Sequence, residues 1–166
     1  MVNRVTRTIR NSLDLATVFG AATSEIGALL HLDRAEILQY LPAQTGWQNV
    51  ATYHHPDRLP EVLELTISDL NSELADRLKQ LQIVRINAID QRQEPFNQTF
   101  TAIYPGAWLL VPLQTGDALW GCLCLNHLHP DYYWQDWEVD LARTIADQLA
   151  IAIQQAELYS QVQQLN

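Results

Sequence analysis

The chain has 166 residues, of which 48% are hydrophobic and 17% charged, and its formal net charge is −9. That length suits one domain with a buried core, and the composition is globular, which excludes a disordered chain. The acidic balance excludes nucleic acid and anionic membrane as main partners, because those contacts need clustered Lys and Arg.

The chain opens on MVNRVTRTIRN, where Val2, Val5 and Ile9 recur at helical spacing opposite Arg4, Arg7 and Arg10. This reads as a short lead-in helix with one solvated side. The stretch has no apolar core for a signal peptide, and no run in the chain approaches the roughly 20 apolar residues of a membrane span. A cytoplasmic protein with no membrane partner is expected. Asn11 or Ser12 can cap a second helix running to about Leu30. Its residues Leu15, Val18, Phe19, Ala22, Ile26, Leu29 and Leu30 follow the i, i+3, i+4, i+7 rule.

Residues 34–41 (RAEILQYL) then read as a strand, 42–46 as its turn and 47–55 (WQNVATYHH) as the returning strand. Residues 56–60 form a loop. Ser68 or Asp69 starts a helix with the stripe Leu70, Leu74, Leu78 and Leu81, and residues 83–89 (IVRINAI) read as an inner strand. Residues 90–106 have no clean period and read as a loop holding a helical turn. Residues 109–113 and 119–125 are apolar and β-favouring, and Thr115, Gly116 and Asp117 between them supply a hairpin turn.

Asp136, Glu138 and Asp140 place negative charge in the first turn of a long closing helix, where the helix dipole favours it. One stripe of that helix, Leu141, Ile145, Leu149, Ala152 and Ala156, suits packing on the domain. A second, Ile151, Leu158, Val162 and Leu165, continues into a polar tail at spacings of seven, four and three. That is the seam of a helix that pairs with another chain, and Val5 and Ile9 can join it. The expected interface is thus Val5, Ile9, Ile151, Leu158, Val162 and Leu165 in a parallel homodimer. The alternative is that both stripes bury against the lead-in helix of the same chain.

Three constellations bear on chemistry. Cys122 and Cys124 are the only cysteines, two apart in a strand, so both point to one face with Cα atoms roughly 6.5–7 Å apart. Buried, reduced thiols are expected. His54 and His55 end one strand, and His127 and His129 follow another; they read as exposed polar strand ends, and no metal site is expected. Phe96, Phe100, Tyr104 and Trp108 repeat every four residues and can form one face of a short helix ending near Pro105. They are either core or the lid of a small-molecule cavity, and the lid is the site expected here.

The "VPL…LWG" hairpin and the "WEVDLARTIADQLAIAI" helix resemble the last hairpin and closing helix of a GAF domain. They are most similar to versions found in cyanobacterial phytochrome-like signalling proteins, and the first hairpin after "LDR" resembles the opening of such domains. The resemblance implies an α+β fold: an antiparallel sheet with helices packed on it, its N- and C-terminal helices forming a bundle. It divides the chain into a lead-in at 1–11, the domain at 12–158 and the start of a signalling-helix extension at 159–166. Residues 90–106 would cover the ligand pocket.

Photosensory relatives of this type attach a linear tetrapyrrole, a bilin, through a Cys-His pair ahead of the "VPI" strand. Counting back from Val111, Pro112 and Leu113 places Pro95 and Phe96 there, and no cysteine precedes Cys122. A thioether needs a thiolate. No covalent bilin and no cofactor are therefore expected, with any non-covalent ligand unidentified. The implied function is a non-enzymatic sensory or regulatory domain of a cytoplasmic signalling protein such as a histidine kinase, joined to an output domain. A ligand-free dimerisation or spacer module is the alternative. A redox enzyme of the type that reduces free methionine sulfoxide comes third, since it needs two thiols that can approach each other.

Overall fold

In the strands that form the middle of this protein, both odd and even positions are apolar, the pattern of a sheet covered on both faces. The computed structural model, which describes residues 14–44, 46–57, 67, 73–88 and 105–165, bears this out. Among the described residues the sheet has five strands: β1 (Arg34–Leu41), β2 (Gly46–His54), β3 (Val84–Ile86), β4 (Ala107–Thr115) and β5 (Ala118–His127). Their order is β2-β1-β5-β4-β3, and every neighbouring pair is antiparallel. The described residues also hold three α-helices, α1 (Leu15–Leu29), α2 (Glu73–Lys79) and α3 (Asp136–Leu165). This is the expected α+β architecture.

The odd residues Ala35, Ile37, Leu109, Val111, Leu113, Leu123 and Leu125 share one core with Val18, Phe19, Ala22 and Ile26 of α1 and Ile145, Leu149 and Ile153 of α3. The even residues Leu38, Trp108, Leu110, Cys122 and Cys124 form a second core with Leu74, Ala75 and Leu78 of α2, Val84 and Ile86 of β3, and Ile67. The two terminal helices thus pack on one side of the sheet and α2 on the other. Gly121 permits the central pairing, because a Cβ there would lie 2.1 Å from the Leu38 carbonyl oxygen of β1.

Local signals set the helix ends. Asp14 caps α1, its carboxylate accepting from the Ala16 N–H at 3.1 Å and from the Thr17 hydroxyl at 2.8 Å. The expected caps Asn11 and Ser12, and the lead-in residues Val5 and Ile9, lie outside the described residues. At the other end, His31 takes a left-handed conformation (φ 54) and lets the Leu32 N–H reach the Gly27 carbonyl at 2.9 Å. At the start of α3, Glu138 reaches back to accept the Gln135 N–H at 2.8 Å, a capping box, while also accepting the Tyr132 hydroxyl.

Two sequence expectations change here. The stripe Leu70–Leu74–Leu78–Leu81 does not run along one helix to its end. Leu74 and Leu78 are buried on α2, but Leu81 lies beyond it with φ 61, where the chain turns toward β3. The inner strand is also shorter than residues 83–89, since its pairing with β4 covers only Val84, Arg85 and Ile86. On α3 the middle of the first stripe, Ile145, Leu149 and Ala152, buries as expected, with Ile153 added to it, while Leu141 and Ala156 at its ends are only partly buried. The second stripe is exposed: Ile151 is 44% accessible, Leu158 61% and Val162 55%. Leu165 closes the helix.

Candidate functional site

The sheet face beneath α2 is apolar at its middle and charged at one end. Three cross-strand rungs make it: Arg34, Asn126 and Trp108; Glu36, Cys124 and Leu110; Leu38, Cys122 and Pro112. Because strand residues two apart share a face, Arg34 and Glu36 stand side by side on it. Their accessibilities are 2% and 0%, and Arg34 Nη1 lies 3.5 Å from Glu36 Oε1. The Arg34 guanidinium sits over the Trp108 ring, 4.8 Å from its centroid, within the range of a cation–π contact. Taking both charges out of water costs several kcal/mol per ion, and apolar residues would fill the same space without that cost. A buried charged pair of this kind makes this end of the face the candidate site.

Asn126 closes the polar end. Its amide donates to the Pro105 carbonyl at 3.2 Å and the Ala107 carbonyl at 3.1 Å, which ties β5 to the chain segment entering β4. Gly106 between them has φ 101, and a Cβ there would meet the His127 carbonyl oxygen at 2.1 Å. The thiols of Cys122 and Cys124 are free and buried, with sulfurs 3.3 Å apart. Burial, followed by the neighbouring thiol, raises the Cys124 pKa well above its ordinary value, so this thiol stays protonated and poorly nucleophilic.

Of the aromatic set expected to form a lid, Phe96, Phe100 and Tyr104 lie outside the described residues. Trp108 does not sit on a helix with them. It is the second residue of β4 and fully buried, a part of the floor of the face rather than its cover. The sequence reading missed Arg34, Glu36 and Asn126. The signal was present in RAEILQYL, where two opposite charges two apart open an otherwise apolar strand.

The histidines also differ from expectation. His129 is exposed and His55 partly so, as expected, but with His127 they line one cavity of about 480 Å³ together with His31, Asp33 and Asp57. His127 is buried, because β5 carries it against Tyr132 and Trp134. Among the described residues no three His, Cys, Asp or Glu side chains are placed to hold one metal ion. None of the described helices is long and apolar enough to cross a membrane.

Comparison with known proteins agrees with this architecture. The GAF domain family model matches residues 14–153. The "Circadian input-output histidine kinase CikA" of Thermosynechococcus vestitus is 31% identical over 174 residues, spanning 99% of this chain and 24% of that protein. The chain thus covers about a quarter of the length of this relative. The phycocyanobilin-bound GAF domain of a cyanobacterial phytochrome superposes with a TM-score of 0.79 at 26% identity, covering 95% of this chain and 94% of that one. A phycoerythrobilin-bound GAF domain, also from a cyanobacterial phytochrome, gives 0.78 at 27%, covering 96% and 95%.

These structures overturn the expectation of a domain without a cofactor. That expectation rested on a single missing bond, the thioether ahead of β4. The similarity to bilin-bound domains extends over nearly the whole fold. The match over residues 14–153, the sheet order and the two-sided core together show that this chain belongs to the GAF domain family.

Proposed function

We propose that this chain is the sensory domain of a longer signalling protein of the histidine-kinase type, and that it binds a bilin-class linear tetrapyrrole on the charged sheet face. The observation that carries the reading is the buried Arg34–Glu36 pair over Trp108, on the face away from the terminal helices. A bilin has a long apolar body with charged propionates and pyrrole N–H groups. Trp108 and Leu110 suit the body, Arg34 suits a propionate, and Glu36 suits an N–H donor. The similarity to CikA and to the bilin-bound domains supports both halves of the proposal.

The output runs through α3, which leaves the sheet carrying the exposed seam Ile151, Leu158 and Val162. In a parallel homodimer this seam pairs with its copy and continues toward an output domain. The lead-in residues Val5 and Ile9 join the same bundle, and Phe96, Phe100 and Tyr104 cover the ligand. The test is coexpression with enzymes that make a bilin, followed by native gel filtration. Protein that elutes with visible absorbance supports the proposal, and colourless folded protein rejects it. Replacing Arg34 with Met and Glu36 with Leu together should leave the fold and reduce the colour. Unchanged colour would show that the pair plays no part in binding.

A further inference from the structure

We propose that His127 is a proton-sensing site that couples the cavity at the end of the sheet to the first turn of α3. The residue ends β5, and its ring stacks on Tyr132 with centroids 3.7 Å apart and tilts against Trp134 at 5.5 Å. Its Nδ1 stands 4.0 Å from Asp33 Oδ2, beyond hydrogen-bond reach, and its Nε2 is buried without a hydrogen bond. A hydrogen bond to the Leu30 backbone serves one side of the ring, and packing holds the imidazole where a second N–H, at Nε2, has nothing to donate to.

Charged groups face the ring from each element around it. Asp33 before β1, Glu138 in α3 and the Leu30 carbonyl favour the proton, while His31 at the end of α1 opposes it. His55 and Asp57 after β2, and His129 beyond β5, share the cavity wall. Burial outweighs the carboxylates and keeps His127 below the ordinary histidine value. The carboxylate of Asp33 is also engaged, since it accepts the Leu128 N–H at 2.6 Å.

When the proton arrives, the imidazolium has to satisfy two donors. The ring must turn toward water in the cavity or draw Asp33 inward, and either movement parts the stack with Tyr132. The Tyr132 hydroxyl donates to Glu138, whose other oxygen caps α3 at the Gln135 N–H, 2.8 Å away. Protonation of His127 thereby alters the contacts that hold the start of the helix leading out of the domain, with no proton moving beyond the ring. This site faces the terminal-helix core rather than the charged sheet face, so it works with or without a ligand there.

Two-dimensional NMR of the 166-residue chain between about pH 8 and pH 5 tests the proposal. The expected result is a His127 midpoint below about 6.5, with the amides of residues 135–139 shifting at that same midpoint. Asp33→Asn should lower the midpoint further, because it removes a charge that favours the proton. Tyr132→Phe should leave the His127 titration in place but uncouple the α3 amides from it. A midpoint at or above the ordinary value would overturn the proposal. So would α3 amides that ignore the titration, or amides that still follow it in Tyr132→Phe.

Discussion

The Arg34 guanidinium lies 4.8 Å from the centre of the Trp108 ring, so the cation of the charged sheet face rests on an aromatic floor contributed by another strand. The strands that carry them, β1 and β4, are not neighbours; β5 runs between them. The rung Arg34–Asn126–Trp108 brings them together. The guanidinium can therefore be held in place from two sides, by Glu36 along its own strand and by Trp108 across the sheet.

This arrangement gives single and double substitutions different outcomes. Arg34→Met alone leaves the Glu36 carboxylate buried without its cation and should cost about 3–5 kcal/mol. Arg34→Met with Glu36→Leu removes both charges and should stay within about 2 kcal/mol of the parent, because apolar residues of similar size fill the space. Urea denaturation compares them. A double variant as unstable as the single one would show that the pair acts as ordinary structural charges.

The start of α3 depends on Glu138, which holds the Gln135 N–H and the Tyr132 hydroxyl at once. Glu138→Ala should cost about 1–2 kcal/mol, the usual range for a lost cap. Tyr132→Phe, which keeps the ring against His127, should cost about 1 kcal/mol or less. Thermal melts followed by circular dichroism measure both. Equal losses in the two variants would count against a separate capping role for the carboxylate.

The exposed seam of α3 predicts self-association. Sedimentation at rising concentration should show a monomer–dimer equilibrium, and Leu158→Glu should shift it to monomer with little change in stability, since Leu158 is 61% accessible. A strict monomer at high concentration, unaffected by that substitution, would reject the pairing.

Stability should also fall in mild acid. The folded-state pKa of His127 lies below its unfolded value, first because of burial. Between those two values the unfolded chain binds more protons, so stability rises with pH across that window. The loss starts as pH falls through about 6.5 and is complete below the folded value. Urea midpoints measured from about pH 7.5 down to pH 5 should trace it, and His127→Gln should flatten that part of the curve. An unchanged slope in the variant would assign the acid sensitivity to another group.

Periodicity in the sequence determined the elements and the faces they bury. The alternation in ALWGCLCLNH assigns Leu123 and Leu125 to one face and Cys122 and Cys124 to the other, and the stripe of α3 names Ile145 and Leu149 as core. Such patterns are local, repeating over a few residues, so they are legible without knowing any partner. The same logic found the exposed seam at Ile151, Leu158 and Val162. What it could not supply is the company each residue keeps. His31, His55 and His127 come from three separate segments, and only the antiparallel register of β2, β1 and β5 gathers them with Asp33 at one cavity. Trp108 looked like the end of an aromatic helix until pairing with Asn126 placed it in the sheet beneath Arg34. Register and strand order depend on contacts between residues far apart in the chain. The packing of the whole molecule therefore decided where its charged face and its buried histidine lie.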